Sequence, residues 1–197
     1  MIINKEEFLK SKRKYLNKLK GNIFIYPTDS IYGIGCDATK EKLVQKIREL
    51  KKSNLQPFSI IAPSKEWVYQ NCVVGEKEKK YVEKLGKYIT INGQKHRFTL
   101  ILKLKNNKSI AKNVNHGKNT VGVRIPNNWF SEVVKELNIP IITTSANVTG
   151  EDFMTSLDNL NENIKKSVEI IIHEGEKKGK PSTIINLSEP NPEIKAR

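Results

Sequence analysis

The segment Tyr26-Pro27-Thr28-Asp29-Ser30-Ile31-Tyr32-Gly33-Ile34-Gly35-Cys36-Asp37-Ala38 constrains this chain more than any other. It follows an apolar run, Ile23-Phe24-Ile25, that reads as a buried strand, and it precedes an amphipathic stretch. As a strand-to-helix connection it places hydroxyls, a carboxylate and two glycines at the carboxyl end of a strand. That is where open α/β sheets bind ligands. Glycine permits backbone to approach a ligand closely, and hydroxyls hydrogen-bond to it. The spacing is neither a Walker A loop nor a dinucleotide-binding fingerprint. From spacing alone, a tight turn followed by a capped helix is the simpler reading.

The flanking pattern predicts alternating elements. Phe8, Leu9, Tyr15, Leu16 and Leu19 recur at helical spacing, which predicts one helix over about Lys5 to Leu19. Asn22 to Tyr26 reads as the first central strand. A helix over about Lys40 to Lys51 follows the signature, with Thr39 as N-cap and Leu43, Val44, Ile47 and Leu50 on one face. Strands are expected at Phe58–Ala62, Arg97–Leu104, Thr120–Ile125, Ile139–Thr144, Val168–His173 and Ser182–Leu187, and helices at Trp129–Leu137 and Ser156–Lys166. Interleaved strands and helices argue an α/β fold. Strand pairs without an intervening helix require some antiparallel pairing.

A chain of 197 residues suffices for one domain with a real core, and nothing in the pattern divides it. Thirty-five basic against 21 acidic residues leave a net charge of +14, a field that attracts nucleotide, pyrophosphate or RNA. A lysine-rich coding bias explains the same excess equally well. No apolar stretch approaches membrane-spanning length and no secretory h-region opens the chain. With only Cys36 and Cys72 as thiols, a cytoplasmic protein with reduced cysteines and no membrane partner is expected. His96, His116 and His173 are far apart and pair with no cysteine at zinc spacing, so no side-chain metal site is expected.

Four segments together resemble the YrdC/TsaC family: the signature above, Thr120-Val121-Gly122-Val123-Arg124-Ile125-Pro126, Thr144-Ser145-Ala146-Asn147-Val148-Thr149-Gly150, and Pro181-Ser182-Thr183-Ile184-Ile185-Asn186. The resemblance spans about Gly21 to Asn186. It implies a YrdC-like fold over residues 1–197, a twisted open sheet of mixed parallel and antiparallel strands flanked by helices, with a concave basic groove. It also implies formation of L-threonylcarbamoyladenylate and pyrophosphate from L-threonine, bicarbonate or CO2, and ATP with Mg²⁺, a nucleotidyl transfer. The product serves modification of the adenosine beside the tRNA anticodon. A downstream threonylcarbamoyl transferase complex and contact with tRNA or double-stranded RNA follow from the same resemblance.

By the same resemblance Lys51, Ser145 and Asn147 are catalytic and hold ATP, joined by Lys52, Gln56, Thr120 and Arg197. Ser30, Arg124, Thr143 and Ser182 hold threonine, Arg124 gripping its carboxylate. Without the resemblance, Lys51 is an ordinary helix-end lysine worth a few tenths of a kcal/mol. Ser145 and Asn147 likewise form an ordinary turn. Four positions depart from the family pattern, one of them Phe153, where a serine or threonine often stands six residues after Asn147. The arginine of its Lys-x-Arg falls at Lys52 or Ser53, and its histidine falls at Ile61. Its Pro-Gly-Pro is replaced by Lys95-His96-Arg97. The basic excess and the missing arginine favour a second reading, a catalytically weakened YrdC-like protein that binds tRNA or rRNA, and the retained Lys51, Ser145, Asn147 and Arg124 disfavour it. The cysteine clusters of carbamoyl-adenylate domains of the hydrogenase-maturation type are missing, which rejects a third.

Overall fold

The expected alternation of strands and helices is seen in a computed structural model, which describes residues 1–53 and 56–195. In chain order come β1 (Ile2–Asn4), α1 (Lys5–Lys10), α2 (Lys12–Lys20), β2 (Phe24–Pro27), β3 (Tyr32–Gly35) and α3 (Glu41–Lys51). Next are β4 (Ser59–Ile61), α4 (Lys65–Asn71), α5 (Glu76–Val82), β5 (Ile89–Ile91), β6 (Gln94–His96) and β7 (Phe98–Lys103). The chain continues through α6 (Lys112–Asn115), β8 (Thr120–Arg124), α7 (Phe130–Leu137) and β9 (Ile141–Ser145). It closes with α8 (Glu162–Ser167), β10 (Ile170–His173), β11 (Thr183–Asn186) and β12 (Glu193–Lys195).

Ten strands form one sheet in the order β1-β10-β2-β3-β9-β4-β8-β7-β11-β12, and β5 and β6 form a separate hairpin. The pairs β1/β10, β10/β2, β4/β8 and β7/β11 are parallel, whereas β2/β3, β3/β9, β4/β9, β7/β8 and β11/β12 are antiparallel. Side chains alternate across a strand, so Ile60 and Ile61 enter different cores. Ile60 joins Val44, Ile47, Val123 and Ile142 on one face; Ile61 joins Phe8, Leu19, Tyr26 and Phe130 on the other.

Several expectations need correction. The first helix is two, because Ser11 leaves helical geometry (φ −122°, ψ 37°). The offset stacks Phe8 on Tyr15 at 5.5 Å. The signature is not a strand-to-helix connection: its second half is β3, which returns antiparallel on β2. Thr28 closes the turn, its Oγ1 donating to the Ile31 carbonyl (2.7 Å) and accepting from Ser30 N (3.1 Å). The N-cap of α3 is Lys40, without a side-chain cap; Thr39 instead donates from N and Oγ1 to the Asp37 carboxylate. The helix expected from Ser156 begins at Glu162, because Asn159 Oδ1 accepts from Thr155 N and Ser156 N and holds a turn there. The β5–β6 hairpin carries a readable signal that the sequence analysis passed over, Asn92-Gly93, both at positive φ (49° and 76°).

The signature's glycines make room for packing, not for a positive φ. A Cβ on Gly35 would lie 2.4 Å from the Ile142 carbonyl oxygen and 2.9 Å from the Tyr26 ring; one on Gly33 would meet the same ring at 3.0 Å. Tyr26 is fully buried, stacks on Phe130 at 4.6 Å, and donates its hydroxyl to the Ile142 carbonyl (3.1 Å). Gly35→Ala therefore forces backbone apart at the centre of the sheet. Thermal or urea unfolding should show a loss of roughly 1–3 kcal/mol or more, whereas Gly21→Ala, with open space at its Cα, should unfold like the parent protein.

Candidate active site

A cleft of about 300 Å³ opens over β3, β9, β4, β8, β7 and β11. Its walls are the β2–β3 turn, the end of α3 with the residues that follow, and the segment leading into β11. Hydroxyls dominate the lining: Thr28, Ser30, Ser53, Ser59, Thr99, Thr143, Thr144, Ser145 and Ser182. Among the described residues Lys51 and Arg124 supply its cations, and no carboxylate lines it.

Lys51 ends α3 with its side chain turned inward, only 4% exposed. Its Nζ donates to the Ser145 carbonyl (2.6 Å), the Asn147 carbonyl (2.6 Å) and Asn147 Oδ1 (3.3 Å). Ser145 Oγ in turn donates to Asn147 Oδ1, and Asn147 Nδ2 donates to the carbonyls of Val148 and Glu151. The three residues expected to be catalytic thus form one unit, assembled from α3 and the end of β9. Burial pulls the Lys51 ammonium down from 10.5 to about 8. Lys51 is thus a buried tie between elements, unlike the exposed helix-end lysine of the simpler reading.

One turn earlier, Arg48 is equally hidden at 3% exposure. Its Nε donates to Asn113 O (2.7 Å), one terminal nitrogen to Ser53 O and Gln56 O (3.0 Å each), and the other to Val114 O (3.0 Å). Its guanidinium lies 4.3 Å from the Phe58 ring centre. A planar fork fits four carbonyls where a lysine would reach fewer. The sequence analysis missed Arg48. Its only signal is a charged residue three before Lys51, in the same inward stripe as Val44 and Ile47.

At the other end, Arg124 closes β8 and is 7% exposed. Its terminal nitrogen binds Asp29 Oδ1 at 2.5 Å, and Asp29 Oδ2 accepts from Asn127 N (2.8 Å). Arg124 Nε is buried with no partner among the described residues. Ser30 bonds Thr28 (3.0 Å) and Ser182 bonds Thr99 (2.8 Å), each through its hydroxyl. A Cβ on Gly179 would lie 2.3 Å from the Ser30 carbonyl oxygen, so glycine lets the chain before Ser182 close over the β2–β3 turn.

The cleft brings together Lys51, Gln56, Ser145, Asn147, Ser30, Arg124, Thr143 and Ser182. It does not include Lys52 or Thr120. Lys52 adopts the left-handed conformation (φ 50°) that ends α3, so its side chain diverges from Lys51. It lines a separate depression with Lys46, Glu49 and Glu151. Of the two positions considered for the family's arginine, Ser53 is the one that lines the cleft. Thr120 starts the strand that Arg124 ends, about 13 Å away at strand rise, and its carbonyl accepts from Asn115 Nδ2. Arg197 lies outside the described residues. Ile61 is fully buried in the core shared with Tyr26, and His96 of the β6 strand faces Thr183 Oγ1 (3.2 Å). Thr28, Ser59 and Thr99 line the cleft but were missed, because nothing in a local run of sequence shows that these strands are neighbours.

Removing Lys51 leaves buried carbonyls without a donor, so Lys51→Ala should lose roughly 1–3 kcal/mol of stability in denaturant unfolding. Protonation works in two directions. Between about 8 and 10.5 the unfolded chain binds the extra proton, so this titration favours the folded state as pH rises through that window. Anion binding goes the other way, because the cation is lost above about 8. ATP affinity measured by calorimetry should fall as pH rises through about 8, and Lys51→Arg, which stays charged, should flatten that dependence.

The geometry has counterparts among known proteins. Residues 18–197 match the Sua5/YciO/YrdC family, whose description reads telomere recombination. A Methanocaldococcus jannaschii protein provisionally named a threonylcarbamoyl-AMP synthase is 34% identical over 189 residues, covering 93% of this chain and 84% of that protein. The uncharacterised protein YciO of Escherichia coli is 27% identical over 181 residues, covering 89% of this chain and 82% of its own length. The structure of P. abyssi Sua5 complexed with L-threonine superposes with a TM-score of 0.81 at 26% identity, over 98% of this chain. This chain spans 56% of that one. With a family match over nearly its whole length and the cleft motifs assembled at one site, the chain belongs to the Sua5/YciO/YrdC family.

Proposed function

We propose that this chain is an L-threonylcarbamoyladenylate synthase, joining L-threonine, CO2 or bicarbonate, and ATP with release of pyrophosphate. The observation that carries the reading is the charge layout of the cleft. Lys51, Ser145 and Asn147 form a phosphate-sized polar unit at one end, and Arg124 presents an unpaired buried Nε at the other. A guanidinium edge suits the amino acid's carboxylate, and an ammonium flanked by a hydroxyl and an amide suits the triphosphate. Relatives bearing this activity in their names support the reading, as does the Sua5 structure with L-threonine.

In the reaction, the amine lone pair of threonine adds to CO2 and the nitrogen gives up a proton to solvent, leaving a carbamate. A carbamate oxygen then bonds to the α-phosphorus while the bond from that phosphorus to the bridging oxygen of pyrophosphate breaks. No covalent enzyme intermediate is needed, so the protein's work is positioning and neutralising charge. Lys51 faces the charge that grows on the leaving pyrophosphate. Arg124, steadied by Asp29, fixes threonine so that its nitrogen points toward the nucleotide. The cleft lining offers hydroxyls, amides and two cations but no carboxylate, and no cluster of three metal-binding side chains occurs among the described residues. That donor set does not fit a resident Mg²⁺, so the ion belongs to the substrate, ATP-Mg²⁺.

Two outcomes test this. Protein mixed with ATP-Mg²⁺, threonine and bicarbonate should yield threonylcarbamoyl-AMP by mass spectrometry and release pyrophosphate only when threonine is present. Arg124→Ala should weaken threonine binding at least tenfold in calorimetry, as expected for a charge-assisted bond of about 1.5–3 kcal/mol, with ATP affinity retained. ATP and bicarbonate as substrates, tRNA contact and delivery to a threonylcarbamoyl transferase complex belong to the same proposal. The +14 net charge supports the RNA contact. Weak, sequence-independent tRNA binding should fall steeply with salt in a filter or polarisation assay; a flat response removes RNA from the proposal.

A further inference from the structure

Between the two charged ends, the strand register marks one position. Ser59 opens β4, pairing with Thr143 of β9 on one side and Gly122 of β8 on the other. Arg124 lies level with Ile61, two residues along β4. Ser145 lies two residues beyond Thr143 in the opposite sense, because β9 runs antiparallel to β4. Ser145, Ser59 and Arg124 therefore fall on one diagonal of the sheet, with Ser59 at its middle. Strand rise and spacing put the two ends about 16 Å apart at Cα, and Ser59 about 8 Å from each.

Six of the other cleft hydroxyls are committed; those of Ser53, Thr144 and Thr149 also lack a bond among the described residues, but none of these three lies on the diagonal. Thr28 bonds Ser30, Thr99 bonds Ser182, Ser145 bonds Asn147, and Thr143 faces the Tyr26 hydroxyl. Ser59 lines the cleft, and its hydroxyl has no partner among the described residues. Gly122 keeps it in place: a Cβ there would lie 2.3 Å from Ser59 Oγ and 3.0 Å from its Cβ. The glycine of the Val-Gly-Val-Arg run thus opens a notch in β8 into which the Ser59 hydroxyl turns.

We infer that Ser59 is the positioning donor for the carbamate, the group that must form between threonine and the α-phosphate. This rests on the synthase reading above and names the place of its third substrate. A neutral hydroxyl suits that place. The carbamate has two oxygens, one of which must attack phosphorus, and a cation beside them would draw away the electron density that the attack needs. One O–H bonded to the other oxygen orients the group at little cost to nucleophilicity. The two cations stay at the ends, on the threonine carboxylate and the phosphates.

The test is kinetic, in CO2-depleted buffer with bicarbonate added back and threonylcarbamoyl-AMP counted by mass spectrometry. Ser59→Ala should raise the bicarbonate concentration for half-maximal rate roughly tenfold, the effect expected for losing a hydrogen bond to a charged group. Calorimetric affinities for threonine and for ATP should stay within about twofold of the parent protein. An unchanged bicarbonate dependence in Ser59→Ala overturns the inference, as does a loss of threonine affinity equal to the bicarbonate effect. Absence of product from the parent protein instead overturns the synthase reading and is scored before any variant.

Discussion

Two buried cations on the last turn and a half of α3 hold the cleft in shape. Arg48 and Lys51 are both nearly inaccessible, and both are satisfied almost entirely by carbonyl oxygens rather than by carboxylates. Burying a charge without partners is costly, so each side chain requires its carbonyls to stay where they are. Arg48 thereby joins α3 to the end of α6 and to the residues leading into β4. Lys51 joins the same helix to the end of β9. The cleft walls come from segments far apart in sequence, and these two side chains are where they meet.

That arrangement has a chemical consequence. A lysine held by three acceptors is fixed in place, so its charge acts on an arriving phosphate at short range, and a direct hydrogen bond to that phosphate requires it to release one of the three. Burial also brings its titration near neutral pH, which links the anion-binding end of the cleft to solution conditions. At the far end the Asp29–Arg124 pair is close to neutral overall. Arg124 has one terminal nitrogen engaged by Asp29, and its Nε is buried without a partner among the described residues. Between them the lining carries hydroxyls and no charge among the described residues. The charge layout is therefore strong at the ends and neutral at the middle, which matches a reaction joining two anionic reactants through a carboxylated amine.

Much of this was legible in the linear chain. Strands β2, β4, β7, β8, β9, β10 and β11 and the amphipathic α3 and α7 follow from local patterns, because apolar period and β-branching report which face is buried. Lys51, Ser145, Asn147, Arg124, Ser30, Thr143 and Ser182 were nameable only through the family resemblance of the runs that hold them. What local pattern could not supply is pairing. Thr99 and Ser59 look like ordinary strand residues until β7 and β4 are set beside β8, and Arg48 looks like a solvated charge until four carbonyls converge on it.

The same distinction explains the errors. Lys52 is adjacent to Lys51 in sequence, but a single left-handed residue at the helix end sends their side chains to different surfaces. Thr120 and Arg124 share a face by strand alternation, yet the length of one strand separates them. The glycines of the signature suggested a ligand-hugging loop, whereas in the fold Gly33 and Gly35 make space for the Tyr26 ring across the hairpin. The sequence by itself determined the strands and helices of clear local period, β2, α3, β4, β7, β8, α7, β9, β10 and β11, and the charge or hydroxyl that each residue carries, since both depend on side-chain type and spacing. Only the tertiary structure decided which of those residues meet, because register, helix termination and the satisfaction of buried charge are settled between segments distant along the chain.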